Sequence, residues 1–115
     1  MQIVENKITM KELQQIAENI FGDIIKAVVD VEKNIVAIDA ELHADLESIL
    51  LEKGSLQNNL WGINLYPFEA DEDFIEFDSL INIRPSQNNR SRGVENKQLR
   101  EKIISIIKEK ISDVA

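Results

Sequence analysis

The sequence predicts an α+β fold with the order α-β-β-α-β-β-α, in which four strands form one mainly antiparallel sheet and the helices pack on one of its faces. Three observations predict it: apolar stripes with helical spacing and recognisable caps, two pairs of β-branched or alternating runs, and short polar connections within each pair. With 115 residues, 43% of them hydrophobic and 30% charged, the chain is expected to form a single globular domain over residues 1–115.

The first helix is predicted to start at Met10, because Thr9 and Glu12 form a capping box. Its apolar stripe then recurs every three or four residues, and Gly22 can adopt the left-handed conformation that ends a helix. Two β-branched runs follow, Ile24–Val31 and Ile35–Asp39, and their three-residue separation predicts a hairpin.

A second helix is predicted from about Ala40 to Lys53, closed by Gly54. Its apolar residues share one face: Leu42, Leu46, Ile49 and Leu50. Two alternating segments, Leu60–Tyr66 and Phe74–Arg84, predict the second hairpin, with the acidic residues 69–73 as the turn between them.

The last helix is expected to begin after Asn96, whose side chain suits an N-cap. Its apolar stripe comprises Leu99, Ile103, Ile106, Ile107, Ile111 and Val114.

Net positive charge is concentrated at the end of the chain. Residues 1–83 contain 17 acidic and 5 basic residues, whereas residues 84–115 contain 4 acidic and 8 basic residues, including all four arginines. The formal net charge of −8 favours solubility and disfavours general attraction to nucleic acid or anionic lipid. Any anion-binding surface is therefore expected to be local.

Composition excludes several classes of site. The chain has no cysteine, so disulfides, thiol nucleophiles and Cys-ligated metals are absent, and His43 is its only histidine. No metal and no cofactor is expected. No apolar run approaches the ~18 residues of a membrane span, and the polar residues of the first ten argue against a signal peptide, so we expect a cytoplasmic protein without membrane contact.

The polar loop Arg84–Asn96 before the last helix, which we call the arginine-rich loop, is the first candidate site. Arg84, Arg90 and Arg92 present planar guanidinium groups that match phosphate or carboxylate, and Asn89 and Ser91 add hydrogen-bonding groups. The start of the following helix also favours anions. An alternative interpretation is that these arginines pair with the protein's own carboxylates and hold the loop in place.

The polar face of the last predicted strand is the second candidate. Alternation places Glu76, Asp78 and Asn82 on one side, and Asn64 from the neighbouring strand is expected to join them. Two carboxylates beside a cationic loop could hold a divalent ion that bridges to a phosphate. A solvated face of an antiparallel sheet has the same pattern.

A third cluster lies at the start of the second helix and comprises Asp39, Glu41, His43, Asp45 and Glu47, in which His43 and Glu47, and likewise Glu41 and Asp45, are i,i+4 neighbours. The cluster could form an oxygen-rich metal site or a histidine base held by a carboxylate, but acidic residues near a helix start also follow from the helix dipole. The acidic turn at residues 69–73 lacks the glycine and final acid of a calcium-binding loop, so a solvated turn is expected.

The segments ELHADLES, LWGINLYPFE and FIEFDSLINIRPSQNNRSRGVEN occur in an order and spacing that resembles a family of short, uncharacterised prokaryotic proteins, from about Ile8 to Ile111. The resemblance implies a stand-alone prokaryotic domain and no particular activity. Sequences of this type have Gly near Asn88 and Asp near Asn96, so here an asparagine is expected to supply a tight turn and another the helix cap.

Three functional hypotheses follow. The first is a module that binds an anionic small molecule through the arginine-rich loop. The second is a metal-assisted phosphohydrolase that uses Glu76 and Asp78. The third is an interaction subunit without a small-molecule ligand, in which homo-oligomerisation would use a strand edge or the last helix. The aromatic residues are not interleaved with basic ones, which argues against nucleic-acid binding.

Overall fold

The computed structural model describes residues 1–112. Three helices and seven strands alternate along them, connected in part by short 3₁₀ turns. The elements are β1 (Gln2–Val4), β2 (Ile8–Thr9), α1 (Met10–Ile20), β3 (Ile25–Asp30), β4 (Ile35–Ile38), α2 (His43–Glu52), β5 (Leu60–Leu65), β6 (Ile75–Glu76), α3 (Lys97–Lys110) and β7 (Ile111–Ser112).

The main sheet has five strands in the order β1-β4-β3-β5-β6, and every neighbouring pair is antiparallel. The predicted α+β class is therefore confirmed, but the predicted four-stranded sheet and element order are wrong. The N-terminal segment Gln2–Val4 adds a strand at one edge, where it pairs with β4. A separate parallel pair joins β2 to β7, so that the start of α1 and the end of α3 lie side by side.

Helices cover both faces of the sheet, which corrects the prediction that they pack on one face. Helices α1 and α3 pack on the face that carries Ala27 and Val29, while α2 packs on the face that carries Val28 and Ala37. The reason lies in β3, whose residues from Ala27 to Asp30 are all buried, so that its apolar side chains need cover on both faces.

The predicted strand Phe74–Arg84 is reduced to the two residues of β6. Beyond Glu76 the chain leaves the ladder and folds into 3₁₀ turns, the first of which begins where Ser79 Oγ accepts the Ile81 N–H at 3.3 Å. Phe77 and Ile81 consequently contact opposite apolar clusters instead of sharing one face. An alternating pattern is compatible with a strand, but tertiary contacts along this edge favour the turns.

The helix-end signals are confirmed. Thr9 and Glu12 form both hydrogen bonds of the capping box, Asn96 Oδ1 accepts the Leu99 N–H at 2.9 Å, and Gly22 and Gly54 have φ of 102° and 95°. Helix α2 starts three residues later than predicted, at His43, because Leu42 is extended. Residue Val114 of the predicted last stripe lies outside the described residues.

None of the helices within residues 1–112 has the length and apolar character needed to cross a membrane.

Candidate functional site

Strand β6 pairs only with Asn64 and Leu65, and the rest of the outer edge of β5, from Leu60 to Gly62, is covered by side chains instead of a strand. Asn82 donates from Nδ2 to the Gly62 carbonyl at 2.9 Å and accepts the Gly62 N–H on Oδ1 at 2.8 Å. Its Nδ2 also donates to the Arg92 carbonyl at 2.9 Å. Asn82 has no exposed surface, so these bonds satisfy backbone groups that water cannot reach.

Arg84 continues this edge toward the start of β5. Its terminal nitrogens donate to the carbonyls of Gln57 and Leu60, and its guanidinium lies 4.2 Å from the centre of the Trp61 ring. Burial lowers the pKa of Arg84, and the negative charge of Glu47 partly opposes that effect. Arg84 was predicted to bind a ligand, but its terminal nitrogens donate to the protein's own backbone.

Asn89 holds the arginine-rich loop in a compact form. Its Nδ2 donates to the carbonyls of Asn82 at 2.7 Å and Gly93 at 2.8 Å, and its Oδ1 accepts the Glu95 N–H at 2.8 Å. The preceding residue, Asn88, has φ 60° and ψ 28°, which is the tight turn expected of an asparagine in this segment. Asn89 is buried, so its amide belongs to the interior of the loop.

One anion-binding arrangement in the loop is occupied by the protein itself. The carboxylate of Glu95 accepts the backbone N–H groups of Arg90 at 2.6 Å and Ser91 at 2.9 Å. These two hydrogen bonds are the main reason that the pKa of Glu95 is lowered. Successive N–H groups that converge on one carboxylate form the kind of concave site that also binds phosphate. The Ser91 hydroxyl accepts the Gly93 N–H at 3.2 Å.

Arg90 and Arg92 differ from the other two arginines. Arg92 donates from Nε to Asp78 Oδ1 at 2.6 Å, with side-chain exposures of 55% and 41%, while Arg90 has no side-chain hydrogen bond or ion pair among residues 1–112. Arg100, in contrast, donates to the carbonyls of Val94 and Glu95. Within the described residues, the loop therefore presents outward the terminal nitrogens of Arg92 and the whole guanidinium of Arg90.

The Arg92–Asp78 ion pair joins the loop to the polar face of the sheet. On that face, Asn64 Nδ2 donates to Glu76 Oε1 at 2.9 Å and to the Asp78 carbonyl at 3.3 Å. Tyr66 donates to the same Glu76 oxygen at 3.0 Å; burial raises the pKa of Tyr66, and so do the hydrogen bond and the charge of Glu76. Asn64, Glu76 and Asp78 lie close together, as expected from the alternation. Asn82 does not join them, because it hydrogen-bonds to Gly62 at the edge of β5.

His43 approaches the same face from α2. Its Nε2 lies 2.8 Å from the Ile63 carbonyl, which can only accept, so Nε2 carries the proton in the neutral ring. Burial lowers the pKa of His43 more than that bond raises it, and Lys26, Asp78 and Arg92 also act on it electrostatically. The His43–Glu47 pair that the i,i+4 spacing would allow is not formed, because His43 Nε2 bonds to the Ile63 carbonyl instead.

The site offers no metal centre in the part of the chain that the structure describes: residues 1–112 contain no group of three His, Asp or Glu side chains able to hold an ion. The Glu76 carboxylate accepts from two side chains, and Asp78 is paired with Arg92.

Sequence reasoning missed the part of Lys26 in this site and the association of His43 with the polar face. Lys26 lies opposite Asn64 in the β3–β5 register, and Asn64 lies opposite Glu76, so three polar residues form a row across three strands. The one available signal was that Lys26 interrupts an apolar run. The position of His43 depends on α2 crossing to this face, which no local pattern indicated.

The fold and the site together define a small α+β domain. Hydrogen bonds between the Asn89 side chain and backbone groups hold its arginine-rich loop together, and Arg90 and Arg92 are exposed on that loop. Residues 2–110 match the family described as a protein of unknown function (DUF5674), and the chain belongs to that family. No curated protein and no solved structure matches the chain.

Proposed function

We propose that the protein is a binding module for a small ligand that carries a phosphate or carboxylate group, and that Arg90 and Arg92 contact this group. The observation that carries the proposal is the contrast among the four arginines. Arg84 and Arg100 donate to backbone carbonyls, whereas the guanidinium of Arg90 and the terminal nitrogens of Arg92 have no partner among residues 1–112.

The chemistry of the two side chains supports an oxyanion as the ligand group. A guanidinium presents paired donors that match two oxygens of a phosphate or carboxylate. The ion pair with Asp78 restrains Arg92, so part of the conformational entropy that ligand binding would cost is already lost. The chain's overall negative charge opposes anions at long range, so the affinity has to come from these short contacts.

Glu95 sets the electrostatic limit of the site. Its carboxylate accepts the backbone N–H groups of Arg90 and Ser91, and its negative charge competes with any anion that approaches the Arg90 guanidinium. The charge of Glu95 therefore weakens the binding of any anion at the Arg90 guanidinium. Arg84 and Asn89 are assigned no ligand contact in this proposal, because the terminal nitrogens of Arg84 and the amide of Asn89 donate within the fold.

The test is thermal unfolding in the presence of phosphate, sulfate and nucleotides. A ligand at ~100 times its dissociation constant adds about 2.7 kcal/mol to the free energy of unfolding, which is roughly 10 °C for a domain of this size. The wild-type protein should show the shift, and Arg90→Ala/Arg92→Ala should lose it while keeping its fold, because both side chains are exposed.

The matched control is Lys11→Ala/Lys102→Ala, which removes the same charge from two exposed positions on α1 and α3. This variant should keep the ligand-dependent shift. Equal losses in both double variants would mean that only net charge matters, and the absence of any shift in the wild type would overturn the proposal.

A further inference from the structure

A groove of about 830 Å³ lies between the edge of the sheet and α3, and none of its lining residues belongs to the arginine-rich loop. One wall is formed by β6 and its flanking aromatic residues, and the other by the outer side of α3. Its apolar lining comprises Met10, Phe74, Ile75, Phe77, Ile104 and Ile111. All six side chains are half-buried, so they present apolar surface to the groove.

Ile104 shows that the groove is more than an incomplete core. The other isoleucines of α3, at positions 103, 106 and 107, are buried against the sheet. Ile104 lies outside both apolar clusters and lines the groove instead, one helical turn before Lys108. Ile104 therefore extends the apolar surface of α3 beyond the side that packs on the sheet.

The two walls of the groove carry charges of opposite sign. Glu69, Asp71 and Glu72 line it on the side of the β5–β6 connection, and all three are exposed, as is the adjacent Asp73. Lys108 is the basic residue of the opposite wall. An apolar floor with a strongly acidic rim is complementary to a segment that carries apolar side chains on one side and lysine or arginine on its flank.

We infer that this groove docks a basic amphipathic segment of a partner protein. The inference does not depend on the proposed anion site, because the two surfaces share no residue. The apolar side chains of the partner segment occupy the groove, and its basic residues face the acidic connection. Lys108 disfavours a segment that is basic on both flanks, which orients the partner.

The first experiment uses a synthetic amphipathic peptide of leucine and lysine, with a leucine–glutamate peptide of the same pattern as the reversed-charge probe. Binding is measured by fluorescence anisotropy of the labelled peptide, and the contact surface by backbone amide shifts in NMR spectra. The lysine peptide should bind with shifts centred on residues 69–77 and 104–111, and the glutamate peptide should not bind.

Two variants separate the apolar contribution from the charge contribution. Ile104→Glu should weaken binding of the lysine peptide at least ~10-fold, because it places a charge on the apolar wall. Glu69→Gln/Glu72→Gln should weaken it by roughly 2- to 30-fold at low salt and flatten its salt dependence. The second variant changes only exposed residues and tests the proposal even if Ile104→Glu fails to fold.

The matched controls lie on the other side of the sheet. Leu51→Glu changes an exposed leucine of α2, and Glu41→Gln/Asp45→Asn removes two negative charges at the start of that helix. Both controls should bind as the wild type does. The proposal is wrong if the controls weaken binding as much as the groove variants, or if the lysine peptide does not bind. It is also wrong if light scattering shows a dimer that Ile104→Glu dissociates, since a second copy then covers the groove.

Discussion

The amide of Asn82 pairs with both backbone groups of Gly62, accepting the N–H at 2.8 Å and donating to the carbonyl at 2.9 Å. One side chain thus occupies the position that a neighbouring strand residue would take on the open edge of β5. Gly62 permits this approach, because a Cβ at that position would lie 2.6 Å from Ser79 Cβ and Oγ. The polar loop is attached to the sheet through this contact.

Asn82→Asp should therefore destabilise the protein by about 3–5 kcal/mol. The aspartate loses the donor to the carbonyls of Gly62 and Arg92 and buries a negative charge where Asn82 has no exposed surface. Urea unfolding at pH 7 measures the change. Asn19→Asp, on an exposed position of α1, is the control and should stay within ~0.5 kcal/mol of the wild type. Similar losses in both variants would contradict this role of Asn82.

Gly62→Ala should cost about 1–3 kcal/mol, since the added methyl group forces β5 away from the turn that contains Ser79. Gly93→Ala is the matched control, because a Cβ there meets its nearest neighbour, the Phe77 carbonyl, at an ordinary 3.4 Å. Chemical denaturation of both variants checks the difference. If Gly62→Ala is as stable as the wild type, the close approach of the two segments is not required.

Arg84→Lys should lower stability by about 1–2 kcal/mol, and Arg90→Lys should change it by less than ~0.5 kcal/mol. A lysine cannot reproduce the fork that reaches Gln57 and Leu60, nor the stacking of a planar group on Trp61. Arg90 has no such contacts among residues 1–112. Melting temperatures of the two variants provide the measurement, and equal effects would show that Arg84 does not support the β5 edge.

Stability should fall as the pH decreases from 7.5 to 5.5, and His43 should account for part of the decrease. Because burial lowers its pKa in the folded state, the unfolded chain, with an ordinary histidine pKa near 6.5, binds the proton first. Protonation therefore favours unfolding in the interval below about pH 6.5. His43→Gln should be less stable at pH 7.5 but show a smaller decrease between the two pH values in urea unfolding. An unchanged pH dependence would mean that His43 titrates normally in the fold.

Glu95→Gln should strengthen phosphate binding by about two- to fivefold at low ionic strength. The glutamine oxygen can still accept the N–H groups of Arg90 and Ser91, but the negative charge that competes for the Arg90 guanidinium is gone. Isothermal titration with phosphate measures the effect. Glu109→Gln removes an equal charge from an exposed position in the last turn of α3 and should leave the affinity unchanged. Weaker binding in Glu95→Gln would contradict an anion site at Arg90.

The sequence was sufficient to predict which polar residues lie near each other in the candidate site, but not which partners their side chains bond to. Alternation placed Asn64 and Glu76 together, and the structure brings them within 2.9 Å through Nδ2 and Oε1. The association of Asp78 with Arg92 follows from the loop returning to the sheet, which the clustering of arginines did not specify. The prediction that Arg90 and Arg92 bind an anion remains a prediction.

Local sequence signals were sufficient to predict the elements that are stabilised by contacts between residues close in sequence. The capping box of Thr9 and Glu12, the Asn96 cap and the β-branched runs of β3 and β4 involve residues close in sequence, so their outcomes could be predicted from the chain alone. The localisation of positive charge to residues 84–110 is likewise a property of the sequence.

Only the tertiary structure decided which face α2 covers, that Gln2–Val4 adds a strand, and that residues 77–84 leave the ladder. Each outcome depends on partners far apart along the chain: His43 and Ile63 are separated by 20 residues, and Arg84 and Gln57 by 27. The backbone groups at the open edge of β5 had to be satisfied, and the polar side chains of the loop were the donors and acceptors within reach. The sequence determined which donors and acceptors were available, and the open edge of β5 determined which backbone groups they bond to.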